Sequence, residues 1–401
     1  MGKKKASDGQ GSVRQRADGR WEARYYVDGV RKSIISKKNS KKPQEEVTIA
    51  LNQKLYEINN GLYVESNKIS LSSWLETWLK EYKQNNIKPR TLESYKSTIE
   101  LYLVPTLGKK NLKDIRPEEL QSILNKMTKD GLSARTVRYT NQVLHSALNQ
   151  AMKNGLILRN ICDLIMLPKG DKKEMRVLTK DEQSIFFKYL KGNRYEFAFI
   201  LCISTGLRVG ELLGLGWKDV DIVNGTIKIT QTLQRIKNED TGKTSLQFGT
   251  PKTEKGRRTI PLLNSTLMLL KEHKRKQQLE KLRAGSKWIE NNLVFTTELG
   301  TPVEPKNLTR IINKTVDKIN EENEKISLDM QDPFLIEPFK RFGIHTLRHT
   351  FATRALEAGM LPKVLQEILG HSTITMTLDT YSHVLPDTKR ESMQLLNNMF
   401  A

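Results

Sequence analysis

Between Ser12 and Ser36 the chain runs in short β-like segments broken by turn dipeptides. Ser12 to Arg16, Arg20 to Val27 and Val30 to Ser36 read as three strands, joined at Asp18-Gly19 and Asp28-Gly29, dipeptides that favour type I′ hairpin turns. A three-stranded meander is expected, with Trp21, Tyr25 and Tyr26 supplying its packing. From Glu45 to Asn59 the spacing changes to that of a helix, ended by Asn60-Gly61. Ser73-Trp74-Leu75-Glu76 reads as a capping box, followed by Trp74, Leu75, Trp78, Leu79 and Tyr82 on one helical face. A second helix is expected from Thr91 toward Leu103, stopped by Pro105. A third starts at Pro117, and a fourth runs from Ser133 to Gly155. Four helices on short connections predict a small all-α bundle.

Leu167-Pro168-Lys169-Gly170-Asp171-Lys172-Lys173 breaks the pattern, and both periods mix beyond it. Helices are expected around Thr179 to Lys191, Tyr195 to Thr205 and Val209 to Leu213, then strands at Thr226 to Arg235, Leu246 to Thr250 and Arg257 to Leu262. Further helices follow at Leu263 to Ala284, Pro305 to Asn320, Leu347 to Glu357, Pro362 to Gly370 and Ile374 to Thr380. The chain is therefore multidomain: a small three-stranded β-sheet domain (1–48), a helix and linker (49–67), a helical bundle (68–158), a linker (159–175), a mixed α/β but mainly α domain (176–385) and a tail (386–401). Within the tail, Ser392 to Phe400 is a short amphipathic segment without a domain of its own to pack on.

Composition narrows the partner. The 401 residues carry a formal net charge of +22, which implies a polyanion, and the spread of Lys and Arg along the chain favours nucleic acid over a membrane surface. Residues 1–42 alone hold 13 Lys or Arg against four acids, and a basic two- or three-stranded ribbon fits a DNA major groove. Arg14, Arg16, Arg20, Arg24, Arg31 and Lys32 there, with Arg90, Lys96, Arg135 and Arg138 on the bundle, are candidate DNA contacts, although solvated charge is the plainer explanation of any one of them. The longest apolar run, Phe197 to Ile203, is too short to span a bilayer, and no membrane partner is expected. Met1-Gly2-Lys3-Lys4-Lys5 has no apolar segment behind it, so no secretory signal is expected. Cys162 and Cys202 lack zinc-site spacing and read as reduced core residues of a cytoplasmic protein.

Near the C-terminus the polar residues take on a chemical pattern. Breaking a phosphodiester needs a nucleophile, cations around the pentavalent phosphorus, and a proton donor for the leaving oxygen. Tyr381 offers a phenol, a weak nucleophile until positive charge stands beside it. Arg208 and Arg348 offer planar guanidinium groups that grip phosphate oxygens in pairs. His345 and His371 exchange protons near pH 7. Lys252, in Gly249-Thr250-Pro251-Lys252-Thr253, is a strand-end candidate for proton donor, with Lys255 close by. Taken singly, an arginine at a helix start is usually a capping or surface charge, and a tyrosine near a chain end is usually packing. His345, His349, His371 and His383 cluster in sequence, but no carboxylate or cysteine joins them at ligand spacing, so no metal site is expected.

Thr205-Gly206-Leu207-Arg208-Val209-Gly210-Glu211-Leu212, His345-Thr346-Leu347-Arg348-His349-Thr350 and Leu369-Gly370-His371, with Tyr381 ten residues beyond, together resemble the active-site boxes of the tyrosine recombinases, the phage integrase family. The resemblance implies that Arg208 and Arg348 match the paired phosphate-binding arginines, Lys252 the hairpin lysine, His345 and His371 the two histidine positions, Tyr381 the nucleophile and Glu211 the acid supporting the first arginine. It implies a core-binding helical bundle, an arm-binding N-terminal sheet and a tyrosine recombinase catalytic domain, as in integrases of temperate phages and Gram-positive conjugative transposons. Expected partners are double-stranded DNA at core and arm sites, further copies forming a tetramer, an excisionase and a host DNA-bending protein. No cofactor is expected, since the phosphotyrosine bond conserves the energy of the broken one. Two alternatives share the scaffold: a type IB topoisomerase-like strand transferase, and a non-catalytic DNA-binding regulator.

Overall fold

The computed structural model describes residues 11–27, 29–59, 69–170, 175–237, 242, 244–251, 254–329 and 337–381. Lys252 and the tail from 386 lie outside them, and so does the side chain of Tyr381. The chain divides into two compact units, 1–171 and 172–401.

The first unit opens with an antiparallel sheet of β1 (Gly11–Gln15), β2 (Trp21–Val27) and β3 (Val30–Ile35), in that order. Val27 pairs with Val30 across the tight second turn. The first turn is longer than a two-residue hairpin. Arg16 N donates to Arg20 O at 2.8 Å and Gly19 adopts φ +78°, so a three-residue loop with a left-handed glycine closes it. Helix α1 (Pro43–Asn59) lays Val47 and Leu51 on Ala23 and Tyr25, crossing the expected boundary at residue 48. Gly11 lies so close to this helix that a Cβ there would stand 2.7 Å from Leu51 Cδ1.

The first helix of the bundle begins ahead of the expected cap at Ser73. Helix α2 (Leu71–Thr77) is capped by Ser70, whose hydroxyl accepts from Ser73 N at 3.3 Å, so Ser73 lies inside the helix. Chain continues as a π-helical segment, Trp78–Lys83, then α3 (Pro89–Thr98), a second π-helical segment, Ile99–Leu103, and α4 (Val104–Leu107). Pro105 therefore does not end the helix. It stands in the first turn of α4, where a missing N–H is tolerated. Helices α5 (Pro117–Lys129) and α6 (Ala134–Lys153) complete the bundle, the latter capped by Ser133. Trp78, fully buried, stacks on Tyr95 with ring centroids 5.7 Å apart, and Trp74 donates its indole N–H to Ala147 O at 3.0 Å.

The second unit places α7 (Lys180–Leu190), α8 (Glu196–Thr205) and α9 (Val209–Leu213) before a β region, β4 (Val220–Asp221), β5 (Thr226–Ile229), β6 (Thr232–Lys237), β7 (Thr244–Gly249) and β8 (Arg258–Pro261). The expected strand Thr226 to Arg235 is two strands in different sheets: β4-β5-β8 form one and β6-β7 the other. The break falls where Thr230 donates to Asp219 Oδ2 and Gln231 to Gly214 O, side-chain bonds that turn the backbone out of the first ladder. Helices α10 (Asn264–Ala284), α11 (Pro305–Asp329), α12 (Ile344–Glu357), α13 (Pro362–Leu369) and α14 (Ile374–Tyr381) follow. Helix α11 extends nine residues past its expected end at Asn320, and α12 starts three residues before the expected Leu347. One core joins Phe186, Phe199, Leu212, Ile227, Phe295, Ile312 and Leu347. Both cysteines are buried free thiols, and burial pushes each pKa up to about 12, as expected of inert core residues.

Candidate active site

Helix α8 ends at Gly206, whose φ of +66° turns the chain toward Arg208. A Cβ at Gly206 would stand 2.6 Å from Phe351 Cδ1 and 2.7 Å from Leu369 Cδ2, so the close packing as well as the turn requires glycine. Arg208 stands immediately before α9, and Glu211 in the first turn of that helix reaches back to it. Glu211 Oε2 accepts from Arg208 N at 3.1 Å and Oε1 accepts from Arg208 Nη1 at 2.8 Å. The guanidinium itself stays about one-third exposed, with Nη2 3.4 Å from Gly370 O, 162 residues along the chain.

Sequence reasoning missed the second partner of Glu211. Arg258, on β8, donates Nη2 to Glu211 Oε2 at 2.9 Å and Nη1 to Oε1 at 3.2 Å, with both side chains almost wholly buried. Burial alone would raise the Glu211 pKa. The Arg258 hydrogen bonds and charge, and then Arg208, outweigh it and bring the carboxyl to about 2.

Arg348, on α12, is 4% exposed. Its Nη1 donates to Gly206 O at 2.6 Å, and its Nη2 to Leu369 O at 2.8 Å and to His371 Nε2 at 2.9 Å. A guanidinium can only donate, so His371 Nε2 must be the accepting, unprotonated nitrogen. The ring proton then sits on Nδ1, which donates to Thr377 Oγ1 at 2.9 Å. Burial and then Arg348 lower the His371 pKa to about 4, so this ring is neutral at pH 7. His371 N and O also bond Gln366 at 3.1 Å each, holding the turn between α13 and α14.

His345 enters from the first turn of α12, its pKa lowered by surrounding protein and then by Arg348 and Arg208. His349 lies one turn on, with ring centroids 6.4 Å apart and its pKa lowered to about 4 by burial and then by His345. Lys255 donates Nζ to Ser372 O at 2.9 Å, beside His371. Thus Arg208, with Glu211 and Arg258, and Arg348, with His371, converge on the backbone carbonyls of Gly206 and Ile368 to Gly370. Lys252 lies outside the described residues. Tyr381 is described as the last residue of α14, the helix that follows His371.

The candidate DNA contacts of the first unit lie on its surface, several within ion pairs. Arg14 and Arg24 bond Glu22 at 2.7 and 3.1 Å, and Arg20 bonds Asp18 at 2.6 Å. Arg16 approaches Asp18 at 3.6 Å. Opposite partners in a sheet share a face, so Arg14, Glu22, Arg24 and Arg31 lie on the face away from α1, whereas Lys32, opposite the buried Tyr25, falls on the helix side. On the bundle, Arg90 and Arg135 are exposed, Lys96 is half-buried, and Arg138 donates to Pro168 O at 2.9 Å. Among the described residues no group of three or more His, Cys, Asp or Glu could hold a metal ion, and no helix is long and apolar enough to cross a membrane.

Comparison with known proteins places these features in a family context. The Phage integrase family pattern matches residues 176–387, and the Phage integrase N-terminal SAM-like domain matches 70–128. The chain is 31% identical over 382 residues to a tyrosine recombinase XerC-like protein of Caldanaerobacter subterraneus subsp. tengcongensis, covering 92% of this chain and 93% of that one. It is 26% identical to the transposase of transposon Tn916 of Enterococcus faecalis, over 87% of this chain and 84% of the other. Among solved structures, the Tn1549 transposon integrase in complex with a circular intermediate DNA superposes with a TM-score of 0.67 at 25% identity, covering 82% of this chain and 99% of that one. A lambda integrase tetramer bound to a Holliday junction shares the fold, at a TM-score of 0.53 and 20% identity over 92% and 94% of the two chains.

Proposed function

Because the chain belongs to the phage integrase family of tyrosine recombinases, we propose that it cuts and rejoins DNA at specific sites through a covalent bond to Tyr381. The observation that carries this reading is the meeting of Arg208, Arg348 and His371, from segments more than 20 and more than 130 residues apart in sequence, around the backbone carbonyls of Gly206, Leu369 and Gly370. Such a cluster offers guanidinium donors to non-bridging phosphate oxygens without a proton to lose. The Tyr381 phenol gives its proton to a neutral histidine of the cluster as its oxygen attacks phosphorus, the bond to the 5′-oxygen breaks, and a 3′-phosphotyrosine remains. Lys252 donates the proton that leaves with the 5′-hydroxyl. That hydroxyl then attacks the phosphotyrosine of a partner duplex, releasing Tyr381 and exchanging the strand. Neither ATP nor a metal ion enters these steps, because bond energy is conserved in the covalent link.

His371 is neutral with its Nε2 turned to Arg348, so it becomes a donor toward phosphate only by taking up a proton. An incoming phosphodiester, being negative, favours that uptake and draws on Arg208 and Arg348 together. The same reading makes double-stranded DNA the partner, with the Tn1549 integrase complex as its support. It also includes a tetramer on two DNA sites, arm-site binding by the N-terminal sheet, and an excisionase and a host DNA-bending protein as accessory partners.

The test uses duplexes selected from a random pool for binding to the protein and then nicked near the retained sequence, so that cleavage frees a short strand and traps the adduct. Native protein should form a covalent protein–DNA product that resists denaturing gels and is removed by protease. Tyr381→Phe should form none. An adduct that persists in Tyr381→Phe would show that another residue is the nucleophile.

A further inference from the structure

Arg258 stands outside the family boxes noted in the sequence, yet it has more described bonds within the network than Arg208. Its Nη atoms reach both oxygens of Glu211, its Nε donates to Ile368 O at 2.5 Å, and Nη1 also reaches Gly256 O at 3.1 Å. One guanidinium thereby ties β8 to the first turn of α9 and to the last turn of α13. Close approach is built in on the far side too. Gly370, at φ +63°, has no room for a Cβ, which would meet Arg258 Nη1 at 2.9 Å and Lys255 O at 3.1 Å. Lys255, three residues earlier on the same strap, holds Ser372 O. The strap thus fastens the turn that carries His371 and leads into the helix ending at Tyr381. With a side chain only 6% exposed, Arg258 offers no surface to DNA.

We propose that Arg258 is a positioning residue for cleavage: through the shared Glu211 it sets where the Arg208 guanidinium points, and through Ile368 O it holds the His371 turn against that guanidinium. It acts through other side chains and touches no substrate. This rests on the proposed cleavage reaction. Glu211 left with Arg208 alone would be free to swing with an exposed side chain, and misplacement of a phosphate-gripping group by an ångström lowers rates on the order of 100-fold.

The pH dependence separates this role from mere scaffolding. Among the described residues, the charged or titratable groups that face Glu211 are Arg208 before α9, Arg258 on β8, Cys202 on α8 and His345 on α12. With Arg258 present the carboxyl stays ionised throughout the working range. Without it, burial raises the carboxyl pKa, so that falling pH protonates Glu211 and releases Arg208.

The experiment measures adduct formation on the selected nicked duplexes, with DNA affinity and its salt dependence, for native protein, R258K, R258M and the E211Q/R258M double variant. In R258M the adduct should form about 100-fold more slowly, with the slope of affinity against salt unchanged because no phosphate contact is lost. The ratio of R258M to native rates should fall further as pH drops, and this acidic limb should vanish in E211Q/R258M, whose amide cannot titrate. R258K keeps the charge but has no fork to reach both oxygens and the carbonyl, so it should be slowed less than R258M. Should R258M not fold, R258K and the double variant carry the test: a native rate in either overturns the proposal. An R258M rate that parallels native protein across pH also overturns it. Native protein that forms no adduct at all would instead overturn the cleavage reaction itself.

Discussion

Lowering the pH is expected to loosen α12 and α13 from below pH 6.5, because His371 must take up a proton that its surroundings in the fold refuse. The ring has Nε2 against Arg348 Nη2 at 2.9 Å and is 8% exposed, so protonation would set two donors face to face in a buried site. Its folded pKa of about 4 compares with an ordinary 6.5. Between those values the unfolded chain binds the proton and the folded chain does not, so stability is fully present above 6.5 and falls with pH until about 4. Each pKa unit is worth about 1.4 kcal/mol, giving about 3 kcal/mol from this one ring, a large share of a typical domain's stability. His349, also lowered to about 4, adds to the same slope. The two units need not unfold together, so the assay is hydrogen exchange of peptides from α12 and α13 in the full chain along a urea series at each pH. His371→Gln should remove about one proton from the slope, roughly 1.4 kcal/mol per pH unit. Protection that stays level from pH 7 to 4.5, or an NMR titration of His371 centred near 6.5, would refute the reasoning.

Three other outcomes are expected. Gly206→Ala forces a left-handed alanine whose Cβ meets Phe351 and Leu369, at a cost of roughly 2 kcal/mol, and displaces the carbonyl that accepts from Arg348; thermal melts and adduct formation should both fall. Trp78→Ala empties the centre of the helical bundle and should cost about 3–5 kcal/mol, read as lost exchange protection in residues 71–153. Deleting residues 1–59, so that α1 leaves together with the sheet it packs on, should weaken binding to arm-type DNA while nicked core duplexes are still cleaved; lost cleavage would count against a modular N-terminal domain.

The features legible in the sequence are those that short-range pattern encodes. Arg208 and Arg348 stood in recognisable boxes, and the bundle helices announced themselves through Trp74, Trp78 and Leu79 at helical spacing. Misjudged points were decided by tertiary partners. Ser73 resembled a cap, but Ser70 holds that place because Ser70 also pairs across to Asn111. Pro105 resembled a stop, but a π-helical segment ahead of it puts the ring in a first turn. Arg258 lay inside the strand expected from Arg257 to Leu262, with no role of its own. The available signal was its period-two register with Ile260, which sets Arg258 on the inner face of β8. A charge in step with a core isoleucine calls for a buried acid, and Glu211 was the acid already suspected of supporting an arginine.

The way the network balances its charge explains why a buried Arg348 can be kept without spending its positive character. Gly206 and Leu369 lie at the C-terminal ends of α8 and α13, both closed by left-handed glycines, Gly206 and Gly370. A helix C-terminus carries the equivalent of roughly half a negative charge, and two of them here accept from one guanidinium. Dipoles thus stabilise Arg348 where a carboxylate would have neutralised it. Glu211, the buried carboxylate beside it, is shared between Arg208 and Arg258, so with Arg348 the cluster holds three guanidinium groups to that one acid. The positive charge of Arg348 is thus held by helix ends rather than cancelled by a carboxylate. Replacing Leu369 or Gly206 with residues that turn those carbonyls away should therefore impair the site more than removing any one exposed lysine around it.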